Sequence, residues 1–156
     1  MIPRGGQVVD LACGKGRHVR FLLNAGYSVL ALDNDLSGIN DIAGELNLEV
    51  FAADLENHGV FPLQGRQFSG IVVVNYLFRP LFADLMNILS SGGVLIYQTF
   101  MLGNEVFGRP NNPAFLLKEN ELLDTFGGKL DVVAFEQGYT EKPNPAFVQK
   151  ICAIKR

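Results

Sequence analysis

The chain has 156 residues, 48% of them hydrophobic and 19% charged, with a formal net charge of −3. That is one domain's worth of sequence with an ordinary globular balance, which excludes a disordered chain, and it lacks the positive excess expected of a nucleic-acid-binding face. Two cysteines, Cys13 and Cys152, and two histidines, His18 and His58, match no metal-ligand spacing, and no run is long enough to cross a membrane. With no leader pattern at the start, a cytoplasmic domain without a metal, a membrane or a nucleic-acid partner is expected. Cys13 reads as a small residue beside a ligand rather than a nucleophile.

Residues 1–6 lead at once into Val8–Leu11, a β-branched and apolar run read as the first strand. Gly14 and Gly16 break the run, and Arg17–Ala25 follows with Phe21, Leu22 and Ala25 on one helical face. Strand, glycine turn and helix make the first half of a βαβ unit. Glycines let the backbone turn tightly and approach a ligand, and the helix offers unpaired amides and the positive end of its dipole. From Gly14 the chain reads Gly14-Lys15-Gly16-Arg17-His18-Val19, so the third glycine of a dinucleotide fingerprint is missing. Asp10, four residues before Gly14, would repel a pyrophosphate but attract an α-amino group or a sulfonium. The turn therefore suits S-adenosylmethionine (AdoMet), its amino group toward Asp10 and its carboxylate toward the helix N-terminus.

The heptapeptide Asp10-Leu11-Ala12-Cys13-Gly14-Lys15-Gly16 resembles motif I, D/E-x-x-x-G-x-G, of the class I AdoMet-dependent methyltransferases. The resemblance implies a Rossmann-like α/β fold over a single domain, residues 1–156. Its sheet would have seven mostly parallel strands with an antiparallel last strand, in a three-layer αβα arrangement. It also implies that Ala12, Cys13, Gly14, Gly16 and His18 surround the amino-acid end of the cofactor. Members of the family usually carry helices before the first strand; here they are missing, so either an open acceptor site or a truncated chain is expected.

Asn24-Ala25-Gly26 stops the first helix, and Ser28–Leu32 is the second strand. Asp33 follows Gly14 by 19 positions, close to the roughly 20-residue offset at which an acid meets a ribose. Asn34 stands beside it, and Asp35 or Ser37 is placed to cap a helix over Ser37–Glu45; Asp33 could be a cap as well. Leu48–Ala52 is the third strand. The resemblance places Asp54 and Leu55 after it against adenine, the alternative being a solvated turn aspartate. Glu56–Gln67 reads as a loop with His58 on the surface.

Phe68–Val74 is the fourth strand, its run Ile71–Val74 suited to a parallel strand buried on both faces. Asn75-Tyr76-Leu77-Phe78-Arg79-Pro80 falls where the family has motif IV, beside the transferring methyl group. Asn75 and Tyr76 are thus expected at the cofactor, and Tyr76 and Arg79 at the acceptor. Pro80 opens a helix to Leu89. Ser90–Gly93 connects to a fifth strand, Val94–Thr99. The Gly-, Asn- and Pro-rich stretch Phe100–Leu117 reads as a loop, which in the family reaches over the active site. Asn104, Glu105 and Arg109 are its candidate acceptor-binding residues, with a mere connection as the alternative. A helix over Lys118–Phe126 and an antiparallel hairpin of Lys129–Glu136 with Ala146–Ile154 complete the chain. Within the family, Asn75–Pro80 with Gly103-Asn104-Glu105 and Phe107-Gly108-Arg109-Pro110 resembles a small bacterial subgroup distantly related to tellurite-resistance methyltransferases.

The expected reaction is in-line methyl transfer from AdoMet, leaving S-adenosylhomocysteine, to an acceptor oriented in a desolvated pocket. His18, on the first turn of the first helix, is the one candidate base. Charge and size favour a small-molecule acceptor, and no feature speaks to oligomeric state. The competing readings are a non-catalytic or partner-dependent AdoMet-binding module and an NAD(P)-binding oxidoreductase domain, the latter opposed by Asp10 and the missing glycine.

Overall fold

The computed structural model describes residues 1–57 and 59–156; the surface position expected for His58 lies outside the described residues. Seven strands form one sheet: β1 (Gln7–Leu11), β2 (Ser28–Asp33), β3 (Leu48–Ala52), β4 (Phe68–Val74), β5 (Leu89–Phe100), β6 (Asp131–Thr140) and β7 (Ala146–Ile154), in the order β3-β2-β1-β4-β5-β7-β6. The first five pair in parallel, and β7 inserts antiparallel between β5 and β6. This is the expected Rossmann-like methyltransferase architecture; among the described residues three α-helices, α1 (Arg17–Asn24), α2 (Phe82–Ile88) and α3 (Glu121–Phe126), lie around the sheet.

Alternation along the strands divides the core in two. Val8 of β1, Val29 and Ala31 of β2 and Val72 of β4 pack against Val19 and Leu22 of α1 and against Ile39. On the opposite face Val9, Leu11, Leu30, Ile71, Val73 and Leu95 meet Leu85 and Ile88 of α2 and Leu122 and Phe126 of α3. Each such side chain contributes about 1.5–3 kcal/mol when fully buried. Phe82 joins α2 to this face by edge-on contacts with Phe126 at 5.4 Å and Tyr97 at 6.0 Å.

Element ends differ from the sequence expectation for identifiable reasons. The helix expected over Ser37–Glu45 is a 3-10 turn, Ser37–Ile42. Gly38 brings this turn against the glycine turn, where an added Cβ would sit 2.8 Å from the Lys15 Cα. The helix expected from Pro80 to Leu89 begins as a 3-10 turn, Arg79–Leu81, and ends at Ile88. Ser90–Gly93 is not a connector but part of β5: the Gly92 amide donates to the Lys155 carbonyl at 2.7 Å and the Lys155 amide to the Gly93 carbonyl at 3.0 Å. The Lys155 ammonium also donates to the carbonyls of Met86 and Leu89, capping the end of α2. The expected loop 100–117 contains 3-10 turns at Asn104–Phe107 and Pro113–Phe115, and β6 runs on to Thr140.

Candidate active site at the carboxyl ends of β1 and β4

In an open α/β sheet ligands bind outside the carboxyl ends of the strands, where the order reverses. Here that crevice lies between β1 and β4. Both strands end in a non-glycine residue with left-handed backbone, Ala12 at φ 55° and Asn75 at φ 58°. Each costs about 1 kcal/mol and is held by its surroundings. The sequence marked neither as strained.

Gly14 and Gly16 have φ of 53° and 72°. A Cβ on Gly16 would lie 2.2 Å from the Ile39 Cγ2, whereas one on Gly14 would meet nothing within 4 Å. The turn is thus packed below and open above. Asp33 ties it to β2: its Oδ2 accepts from the Gly14 amide at 2.8 Å and its Oδ1 from the Asp35 amide at 3.1 Å. Both oxygens keep a lone pair for a further donor. Asp35 in turn takes the Ser37 amide at 2.9 Å, as a cap of the following turn.

Asp10 lies under the turn, 1% exposed, and its Oδ2 has no hydrogen-bond partner among the described residues. Burial raises its pKa to about 7; the Val19 amide and Arg17 oppose this, and Asp33 adds to it. Burial, then Asp10 and Asp33, pushes the Cys13 thiol up to about 12.

Two cavities flank Asn75 and Tyr76. The smaller, about 400 Å³, is lined by Ala12, Asp33, Asn34, Asp54, Leu55 and Tyr76, six of the expected cofactor residues. Asp54 also accepts from the Glu56 amide at 2.8 Å, so the turn role and the cavity role coexist. The Tyr76 hydroxyl donates to Glu56 at 3.3 Å; burial, reinforced by Glu56, raises its pKa. The larger cavity, about 480 Å³, is bounded by Arg17, Asn75, Gln98, Asn104 and Arg109 and by the β6–β7 turn from Lys142 to Pro145.

Asp10, Cys13, Gly14 and Gly16 line neither cavity, and several other expected site residues make contacts of a different kind. Arg79 lines neither cavity: it donates to both Glu121 oxygens, at 2.5 and 2.9 Å, and to the carbonyls of Ala114 and Leu116. That fastens the end of β4 to α3, whereas the sequence reading expected Arg79 at the acceptor. His18 lines neither cavity, and burial, then Arg17, lowers its pKa. Glu105 turns back on its own loop to accept from the Gly103 amide at 2.8 Å. Asn104 borders the larger cavity but is 2% exposed, its Oδ1 accepting from the Phe147 amide at 3.2 Å and its Nδ2 donating to the Pro110 carbonyl at 3.4 Å. It anchors the loop. Sequence reasoning missed Gln98, Lys142 and Lys150. Gln98 carried a signal, a polar residue near the end of an apolar central strand; the lysines carried none.

Among the described residues no group of three or more His, Cys, Asp or Glu comes together as a metal site, and no helix is long and apolar enough to cross a membrane. A family model described as tellurite resistance protein TehB matches residues 1–136. TehB from Haemophilus influenzae superposes with a TM-score of 0.78 at 20% identity, over 99% of this chain and 59% of that one. The chain thus spans less than two thirds of that relative's length. A TehB-like SAM-dependent methyltransferase from Corynebacterium glutamicum gives 0.67 at 18% identity, covering 99% and 82%. The glycopeptide N-methyltransferase MtfA, solved with S-adenosyl-L-methionine, gives 0.65 at 16% identity, covering 99% and 89%. These likenesses establish the fold. No curated protein matches the chain by sequence.

Proposed function

We propose that this chain, which belongs to the TehB tellurite resistance protein family, transfers a methyl group from AdoMet to a small-molecule acceptor. The observation that carries the reading is the unpartnered Oδ2 of buried Asp10 beside a glycine turn that is open above, with an acid-lined cavity on one side and a second cavity on the other. A buried carboxylate with one oxygen unpartnered favours a positive charge at the turn over a pyrophosphate. The residues fit AdoMet on that count: Asp10 suits its cationic end, the uncapped N-terminus of α1 its carboxylate, Asp33 its ribose, and Asp54 and Leu55 its adenine.

Bound AdoMet supplies a methyl group on a positively charged sulfur, open to in-line attack by an acceptor lone pair, with the C–S electrons returning to sulfur. The chain's own contribution is placement. Asp33 fixes Gly14, and the strained ends at Ala12 and Asn75 hold the cofactor wall and the acceptor wall on adjacent strands. Asn75 and Gln98 offer neutral hydrogen-bonding groups to the acceptor. His18 stays outside the acceptor cavity and is not assigned the proton transfer. Calorimetry with AdoMet, S-adenosylhomocysteine and NADH tests the reading. Micromolar binding of the first two and none of NADH is expected; NADH binding, or a folded sample that binds neither of the others, overturns it.

A further inference from the structure

We infer that the acceptor is an organic anion whose nucleophilic lone pair is already free at neutral pH. The inference rests on the methyl-transfer reading and concerns the larger cavity. Four cations from separate segments converge there: Arg17 at the start of α1, Arg109 after β5, Lys142 in the β6–β7 turn and Lys150 within β7. No aspartate or glutamate is among the described residues that line it. Lys150 has an ion-pair partner, Glu136 at 3.3 Å, and no such pair joins Arg17, Arg109 or Lys142 among the described residues. The chain as a whole is negative, so this concentration of positive charge runs against the molecule's average. A concave wall of one sign draws in ligands of the other, and guanidinium groups suit a carboxylate in particular.

Size and lining narrow the anion further. About 480 Å³ lies in the range of organic ligands, and Phe100, Phe107 and Val148 give the cavity an apolar wall that a bare inorganic oxyanion would leave uncovered. Among the described residues that line it there is no His, Asp, Glu, Cys or Tyr, so no side chain of the usual general-base types is there to remove a proton. The acceptor must bring a usable lone pair, such as a thiolate or an unprotonated ring nitrogen. That pair bonds to the methyl carbon as the C–S bond breaks and its electrons pass to sulfur. A thiolate becomes a neutral thioether, a ring nitrogen becomes cationic, and no proton passes to the protein.

The test uses the full chain near neutral pH. S-adenosylhomocysteine is titrated first, so that failure there strikes the cofactor reading. Methylation rates are then compared within two pairs, thiosalicylate against thiosalicylamide and nicotinate against nicotinamide, with selenite as the inorganic arm. Binding of each compound to the S-adenosylhomocysteine-saturated protein is read by calorimetry, independently of turnover. Each carboxylate should exceed its amide at least about tenfold, and the advantage should fall below about threefold in an Arg109→Ser, Lys142→Ser double variant that still binds S-adenosylhomocysteine. Equal behaviour within both pairs, an advantage that survives the double variant, absence of carboxylate binding, or methylation of selenite alone would overturn the inference.

Discussion

At Asp10 burial and function pull in opposite directions. The carboxyl has an ordinary pKa of 3.8 and a folded value of about 7, so the native state binds a proton that the unfolded state has already released. Stability therefore falls as pH rises from about 4 to about 7, and above that the penalty is complete, on the order of 4 kcal/mol. Asp10→Asn removes the charge, and its thermal midpoint should exceed that of the wild type at alkaline pH, with the gap closing toward pH 4. The same variant should bind AdoMet at least about tenfold more weakly. In the wild type AdoMet affinity should rise with pH through about 7, since a cation favours the ionised carboxylate. Asp33 serves the turn and the cavity at once, so Asp33→Ala should cost at least about 1.4 kcal/mol of AdoMet binding, with unchanged affinity in calorimetry excluding the ribose role. Both acids stood out in the sequence by their spacing around one local turn. The bond made by Arg79 did not: its partner Glu121 is 42 positions away, and no local pattern announces a bond across that distance.

Among the elements, the strands were read closely and the short helices less so. An apolar run such as Ile71–Val74 reports burial on both faces directly, whereas the start of β5 depends on backbone bonds to Lys155, near the other end of the chain. The Ser37–Ile42 turn is shaped by Gly38 packing on the glycine turn, a contact made only in the folded molecule. The Arg79–Glu121 bond is the element-scale counterpart, joining the 3-10 turn after β4 to α3 and to the segment at Ala114–Leu116. Arg79→Ala should lower stability by about 2 kcal/mol in denaturant unfolding. AdoMet affinity should stay within about twofold, because neither cavity loses a wall. A larger loss of affinity at full folding would return Arg79 to the site.

For the whole molecule, a ligand that binds only the folded state across this crevice adds about 2.7 kcal/mol at a hundred times its Kd. Saturating S-adenosylhomocysteine should therefore raise the melting temperature by about 5–10 °C in a domain of this size, and NADH should leave it in place. The smaller cavity was legible because β1, β2 and β3 each end in a marked residue. The larger one was only half legible, since Lys142 reaches it through the strand reversal at β7. That reversal has a further consequence for how such a scaffold diversifies. A parallel β7 would need a crossover at the far edge; the antiparallel one leaves residues 141–145, all exposed, at the mouth of the larger cavity. Doubling the length of such a loop costs only about 0.6 kcal/mol. The wall of the larger cavity can thus be rebuilt in a segment that carries no share of the core, and transplanting another turn onto this chain is a graft rather than a refolding problem.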